Sequence, residues 1–192
     1  AIAGSTLPAV VAGCTGTDPD GEEASDRDEN DTDSPDDAAD GASRDGDDEE
    51  SETADETWTE PDWPQGPYAE YDTTIVEVEG DSGAILGKVK AAVAHPGEQW
   101  SLGLSAAESM PENAGMLFES DAENDRTFWM KDMSFGLDIV YVGEDRKITS
   151  IHHAPKPADG DAGTEQQYQF SGRGQYVFEV NYNWTTERGI TE

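Results

Sequence analysis

A single cysteine, Cys14, is all that the 192 residues contain, which excludes an intrachain disulfide framework and a cysteine-rich zinc site. Cations are scarce as well: 11 Lys and Arg stand against 44 Asp and Glu, a formal net charge of −33. That balance argues against a nucleic-acid partner, because phosphate contacts need clustered positive charge. No run approaches the roughly 20 apolar residues of a membrane-spanning helix. There is no Gly-x-Ser-x-Gly elbow, phosphate loop, redox cysteine pair or Asp-x-Asp-x-Asp-Gly calcium loop. The histidines are His95 and the adjacent His152 and His153; neighbours on a strand point to opposite sides, so no spacing recommends zinc. No metal or cofactor is expected.

Large apolar residues are missing altogether from Thr15 to Thr57, 43 residues of which 20 are Asp or Glu and 2 are Arg. Nothing there offsets the entropy of ordering, so residues 15–57 are expected to form a disordered, self-repelling acidic linker. A flexible coil of that length spans about 35 to 40 Å. Residues 58–70 are richer in Pro and aromatics, with Pro61, Pro64 and Pro67 spaced by three as in a polyproline II helix. They read as a stiff stem; the alternative is that Trp63 and Tyr68 dock on the domain as an arm.

Residues 1–13 carry no charge and end in Val11-Ala12-Gly13-Cys14. This resembles the lipobox of secreted lipoproteins, in which small residues admit a peptidase and the new N-terminal cysteine carries lipid. Residues 1–14 are therefore expected to be a signal remnant, part of a trimmed precursor whose charged leader precedes Ala1. The plainer alternatives are a cleaved peptide without lipid or a buried thiol, the latter opposed by the polar run after Cys14.

Residues 71–192 hold the folded domain, with 21 acidic and 9 basic residues. An acidic tail does not account for this further −12. Repulsion of that size is relieved by concentrated salt, where the Debye length falls to about 3 Å at 1 M, so a halophilic protein is expected. Alternation and β-rich composition predict strands at Thr74–Glu79, Ile85–Val93, Gly115–Glu119, Thr127–Lys131, Leu137–Val142, Lys147–His152 and Gln175–Tyr182. Turn chemistry falls at Glu79 to Gly83, Asp121 to Asp125 and Gly143 to Asp145. One helix is expected from Pro96 and a second, capped by Asn183, after it. The fold class is mainly β, a compact barrel-like or sandwich domain with one or two short helices.

Gly115-Met-Leu-Phe118, Phe128-Trp-Met-Lys131, Leu137-Asp-Ile139 and Gln175-Tyr-Val-Phe-Glu-Val180, in that order, resemble the domain of unknown function 192 family. So do the upstream Glu98 to Leu104 and the terminal Arg188-Gly189-Ile190. The resemblance covers roughly residues 72 to 192 and implies a compact, mostly β, barrel-like domain without an assigned function. Two positions depart from the family's pattern: Asp132, where Asn is usual, and Gly136, where Pro is usual. The resemblance places a polar site around Asp132.

Apart from any resemblance, Trp129 and Lys131 share one face of their strand and Phe128 and Met130 the other. Asp138 interrupts a segment that is apolar on both faces, so it is either buried with partners or lines a cleft. If a tight connection through Met133 and Ser134 folds the two strands together, Lys131 and Asp138 pair beside Trp129 and orient a ligand. The plainer reading has Asp138 accepting backbone N–H bonds and Lys131 snorkelling past Trp129 into solvent. His152, at a strand end, is the remaining candidate. The candidate ligand-binding set is Trp129, Lys131, Asp132, Asp138 and His152; no catalytic residue is assigned.

Three functions are compatible with these features. The leading one is a monomeric, noncatalytic binding domain for a small molecule or envelope carbohydrate, anchored to the extracellular membrane face by a lipid on Cys14. An envelope enzyme acting on carbohydrate through Asp138 or Asp132, with His152 assisting, would need a partner carboxylate. A structural assembly factor of the envelope would use its surface and need no cleft.

Overall fold

A computed structural model describes residues 58–192 and, as backbone, the two-residue strand β1, Val10–Val11. Cys14, the remainder of the signal remnant and the acidic linker lie outside the described residues. The fold is mainly β. One sheet has the order β1-β2-β3-β4-β7-β5-β6, formed by β2 Thr73–Glu79, β3 Ile85–Ala94, β4 Ala114–Trp129, β5 Leu137–Val142, β6 Ile148–Ala154 and β7 Gln169–Asn181. The only α-helical turns among the described residues are α1 Glu98–Leu102 and α2 Trp184–Glu187. Pairing is parallel for β1 with β2 and for β3 with β4, and antiparallel elsewhere.

Two segments expected to be separate strands, Gly115–Glu119 and Thr127–Lys131, fall at the two ends of the single strand β4, which stops at Trp129 and leaves Met130 and Lys131 beyond it. Asp121 to Asp125 do not reverse the chain; they absorb a shift of register between Glu119 and Asn124 against β7. Beyond the shift, residues 124–129 pair with residues 169–174 as a two-stranded ribbon that continues past β5. Glycine lets this ribbon fold back over the sheet. A Cβ on Gly172 would lie 2.5 Å from the Tyr141 ring, and one on Gly174 would lie 2.8 Å from the Val142 carbonyl oxygen. The close approach is tied by the Tyr141 hydroxyl, which donates to the Phe170 carbonyl at 2.7 Å. Burial pushes that hydroxyl up to about 12, so it remains a donor.

The sheet therefore has apolar residues on both faces. Under the ribbon lie Met116, Phe118, Ile139, Tyr141 and Val177; on the other side Val89, Leu117, Val140, Phe178 and Val180 pack with Trp184 and Ile190. The segment before β2 is an arm laid on the first core, not a stem. Trp63 and Tyr68 are buried there, with Trp63 Nε1 donating to the Gly115 carbonyl at 2.8 Å and the Tyr68 hydroxyl accepting from Ala106 N at 3.1 Å. Each such aromatic contributes on the order of 2 to 3 kcal/mol of apolar burial, which a free stem would forgo. The first helix starts at Glu98, not at Pro96, after Gly97 with φ 113°. Asn183 precedes α2 with φ 67°, and its side chain makes no capping bond; the cap comes from Asp138, as described below.

Candidate functional site

A cleft of about 370 Å³ opens between α1 with the turn after it, Trp100 to Ser105, and the outer end of β4, Asp125 to Trp129. The parallel β3–β4 pair requires a crossover, and that crossover carries α1 across the mouth of the cleft. Below the register shift β4 has no β3 neighbour, so the ribbon edge and the crossover leave a gap. Trp100, Phe118 and Phe128 form an aromatic wall, with edge-to-face contacts of 5.9 Å for Trp100 with Phe118 and 4.8 Å for Phe118 with Phe128. Trp129 stands at the rim, 52% exposed. Lys131 also lines the opening, its side chain 51% exposed and its Nζ 3.7 Å from Asp132. The depression on the opposite face is apolar and holds only about 40 Å³, too small and too featureless to orient a ligand.

Two further groups define the chemistry. Arg126 lies with its guanidinium 5.0 Å from the Trp100 ring centre. Its Nη2 reaches the Ala122 carbonyl at 3.4 Å, while its buried Nε–H has no acceptor. Glu179 on β7 lies opposite Met116 and Ile139 and is 5% exposed, facing the cleft with no hydrogen-bond or ionic partner among the described residues. Burial between those apolar neighbours pushes its carboxyl up to about 8, so it carries a proton at neutral pH.

Of the residues singled out by sequence, Trp129 and Lys131 meet at the cleft and the others do not line it. Lys131 and Asp138 are not a pair. The strand order places β7 between β4 and β5, so the connection after Lys131 cannot bring those strands side by side. Asp138, fully buried, lies opposite Val180 on the face away from Glu179. Its Oδ1 accepts from His153 Nδ1 at 2.8 Å and Asn183 N at 3.0 Å, and its Oδ2 accepts from Thr185 N at 2.9 Å and Thr185 Oγ1 at 2.6 Å. It is a structural acceptor that holds the start of α2, as the plainer reading had it.

Asp132 is exposed beside Lys131 and takes φ 56°. That left-handed region is entered most readily by Asn and Asp among residues with a side chain. Backbone geometry alone thus accounts for an Asn or Asp at this position. His152 packs against Tyr141 and Phe170 with ring centres 5.7 Å away, its Nε2 3.0 Å from the Ser171 carbonyl, helping to fasten the ribbon. Among the described residues no group of three or more His, Cys, Asp or Glu could hold a metal.

The fold and cleft define a mainly β domain with a polar and aromatic cleft and, in it, a buried acid that has no partner among the described residues. The chain belongs to the DUF192 family, described as "Uncharacterized ACR", whose profile matches residues 77–192. Two solved structures share the fold. One, from Sinorhizobium meliloti, is described as a proposed transcription regulator; it is 23% identical, with a TM-score of 0.55 over 63% of this chain and 89% of that one. The other, of unknown function from Novosphingobium aromaticivorans, is 24% identical, with a TM-score of 0.56 over 67% of this chain and 86% of that one. No curated protein matches the chain.

Proposed function

We propose that this chain is a halophilic lipoprotein held on the extracellular membrane face by a lipid on Cys14, and that its monomeric domain binds a small molecule or envelope carbohydrate without transforming it. The observation that carries the binding reading is the cleft itself. Aromatic walls, a rim of Trp129 and Lys131, the Arg126 guanidinium and a Glu179 carboxyl without a partner among the described residues are the ingredients of a ligand site. The membrane and salt parts of the reading rest on the Cys14 box and on the acidic excess.

An enzyme working through Asp138 or Asp132 is less well supported. Asp138 has both oxygens committed to four hydrogen bonds away from the cleft, and Asp132 is an exposed turn residue. Glu179 could serve as a general acid, but Asp125, the other acid lining the cleft, is 87% exposed and engaged by Arg173 at 3.6 Å. A structural assembly factor would leave the cleft without a ligand.

A thermal-shift screen of the full chain with saccharides and small metabolites separates these readings, because a ligand of the folded state raises the melting temperature by mass action. Run in molar salt and again at about 0.1 M, where screening reaches only about 10 Å, the same melts should show the domain losing stability on dilution. A hit lost in Trp129→Ala is expected; silence across the screen overturns the binding reading, and a melting temperature indifferent to salt overturns the halophilic one. Cys14→Ser should release the protein from the membrane fraction, and unmodified Cys14 in native protein would end the anchor proposal.

A further inference from the structure

Arg126 is out of keeping with its surroundings. In a chain of 44 acids and 11 bases, a guanidinium would be expected to find a carboxylate. Lys88, Lys90, Arg173 and Arg188 all do so. Arg126 has no such partner among the described residues, sits over the Trp100 ring at 5.0 Å, and keeps a buried Nε–H without an acceptor while lining the cleft. A buried donor of this kind costs about 1 to 3 kcal/mol unless something accepts from it. Nε itself is closed off from solvent, so a ligand in the cleft meets Arg126 through its Nη groups, whose paired N–H donors match two carboxylate oxygens side by side, which a lone hydroxyl does not.

The rest of the cleft is consistent with an anion that also carries a ring. Lys131 adds a second cation at the rim, and Trp129 offers an exposed face. Asp125 is the one other acid lining it and is engaged by Arg173. The groups facing Glu179 are Tyr68 from the arm, Tyr141 from β5 and, in the same cleft, Arg126 from β4, with apolar Met116 and Ile139 on either side; α1 brings no charged residue to the cleft. A protonated Glu179 does not repel an anion and can donate to a hydroxyl.

Building on the cleft as the binding site, we propose that its ligand is a hydroxylated ring bearing a carboxylate, a uronic acid being the simplest member, with the carboxylate on Arg126 and a hydroxyl on Glu179. Arg126 sets the preference for the acid over the neutral sugar. Glu179 adds a pH limit: the anion binds while the acid holds its proton and is repelled once that proton leaves, near pH 8 in the free protein.

Calorimetric titration of the full chain with sodium glucuronate and with glucose tests the proposal. Glucuronate should bind at least about tenfold more tightly than glucose, as expected for a charge-assisted contact worth about 1.4 kcal/mol or more. Its affinity should be flat below the Glu179 titration and fall by up to about tenfold per pH unit above it. Arg126→Met should erase the preference, Arg126→Lys should restore part of it, and Glu179→Gln should bind glucuronate with the alkaline fall removed.

Equal affinity for the two sugars, no glucuronate binding, or an Arg126→Met protein that melts like wild type and keeps the preference overturns the proposal. A neutral hit that depends on Trp129, with glucuronate silent, overturns it and leaves the cleft as a binding site; silence to every compound overturns both.

Discussion

The two buried carboxylates of the sheet sit in adjacent registers of the same strand pair, yet their environments are opposite. Asp138 faces Val180 and Glu179 faces Ile139, on the two sides of one β5–β7 ladder. Asp138 accepts four hydrogen bonds and fastens α2 to β5, whereas Glu179 accepts none among the described residues. Burial as such therefore says little about function. A buried acid surrounded by donors is part of the scaffold, and one left without donors beside a cleft is free to meet a ligand. The sequence position that attracts attention first, Asp138 in an apolar run, is the structural one.

The contrast can be broken most forcefully at Asp138. Asp138→Ala leaves Thr185 N, Thr185 Oγ1, Asn183 N and His153 without their acceptor and should cost about 3 to 5 kcal/mol in chemical denaturation. Asp138→Asn, which keeps the shape but turns an N–H toward donors, should cost about 1 to 3 kcal/mol. If Asp138→Ala melts with wild type, the acid does not hold the helix and the contrast with Glu179 fails.

At Glu179 the expected sign is reversed. The unfolded carboxyl titrates near 4.5 and the folded one near 8, so the folded state holds the extra proton between those values. Its contribution is fully present below about pH 4.5, is lost progressively as pH rises, and is exhausted above about pH 8. Glu179→Gln is neutral in both states and keeps the shape. It should stabilise the protein by about 3 kcal/mol at pH 7, at ~1.4 kcal/mol per unit above the unfolded value, with no gain below about pH 4.5. Paired melts of wild type and variant across this window isolate the one group. A pH-independent difference would show that Glu179 is hydrated after all.

Much of this contrast is legible in the sequence, though not evenly. Alternating apolar residues locate β2, β3 and β5 within a residue or so of their ends, and the Phe-Trp-Met-Lys run brings Trp129 and Lys131 to the cleft rim. Glu179 in Tyr176-Val-Phe-Glu-Val180 is as anomalous an acid as Asp138, and the same signal could have singled it out. Arg126 falls between the stretch Asp121 to Asp125, which reads as a turn, and the strand expected from Thr127, and only the folded-back ribbon brings it against Trp100. Likewise, local pattern cannot say that β7 separates β4 from β5, because strand order is fixed by pairings tens of residues apart. The Lys131–Asp138 pair failed for that reason, and Asn183 proved not to cap because the capping acceptor is 45 residues away.

The smallest expected effect on stability is at Lys131, and it sharpens the comparison from the cleft side. Its ammonium is half exposed and its nearest acid, Asp132, is 3.7 Å away on the surface. An exposed pair of this kind contributes about 0.2 to 1 kcal/mol, less in concentrated salt. Lys131→Met keeps the stem over the cleft rim and removes only the charge, so it should unfold within about 1 kcal/mol of wild type. Asp138→Ala should do the converse, costing several kcal/mol while leaving the walls of the cleft chemically unchanged. If Lys131 serves the ligand, the thermal response to an acidic compound weakens in Lys131→Met although the unliganded melt barely moves. An unchanged response would remove Lys131 from the site and leave Arg126 as the cation that matters there. A large loss of unliganded stability would instead place Lys131 with Asp138 among the residues that hold the fold.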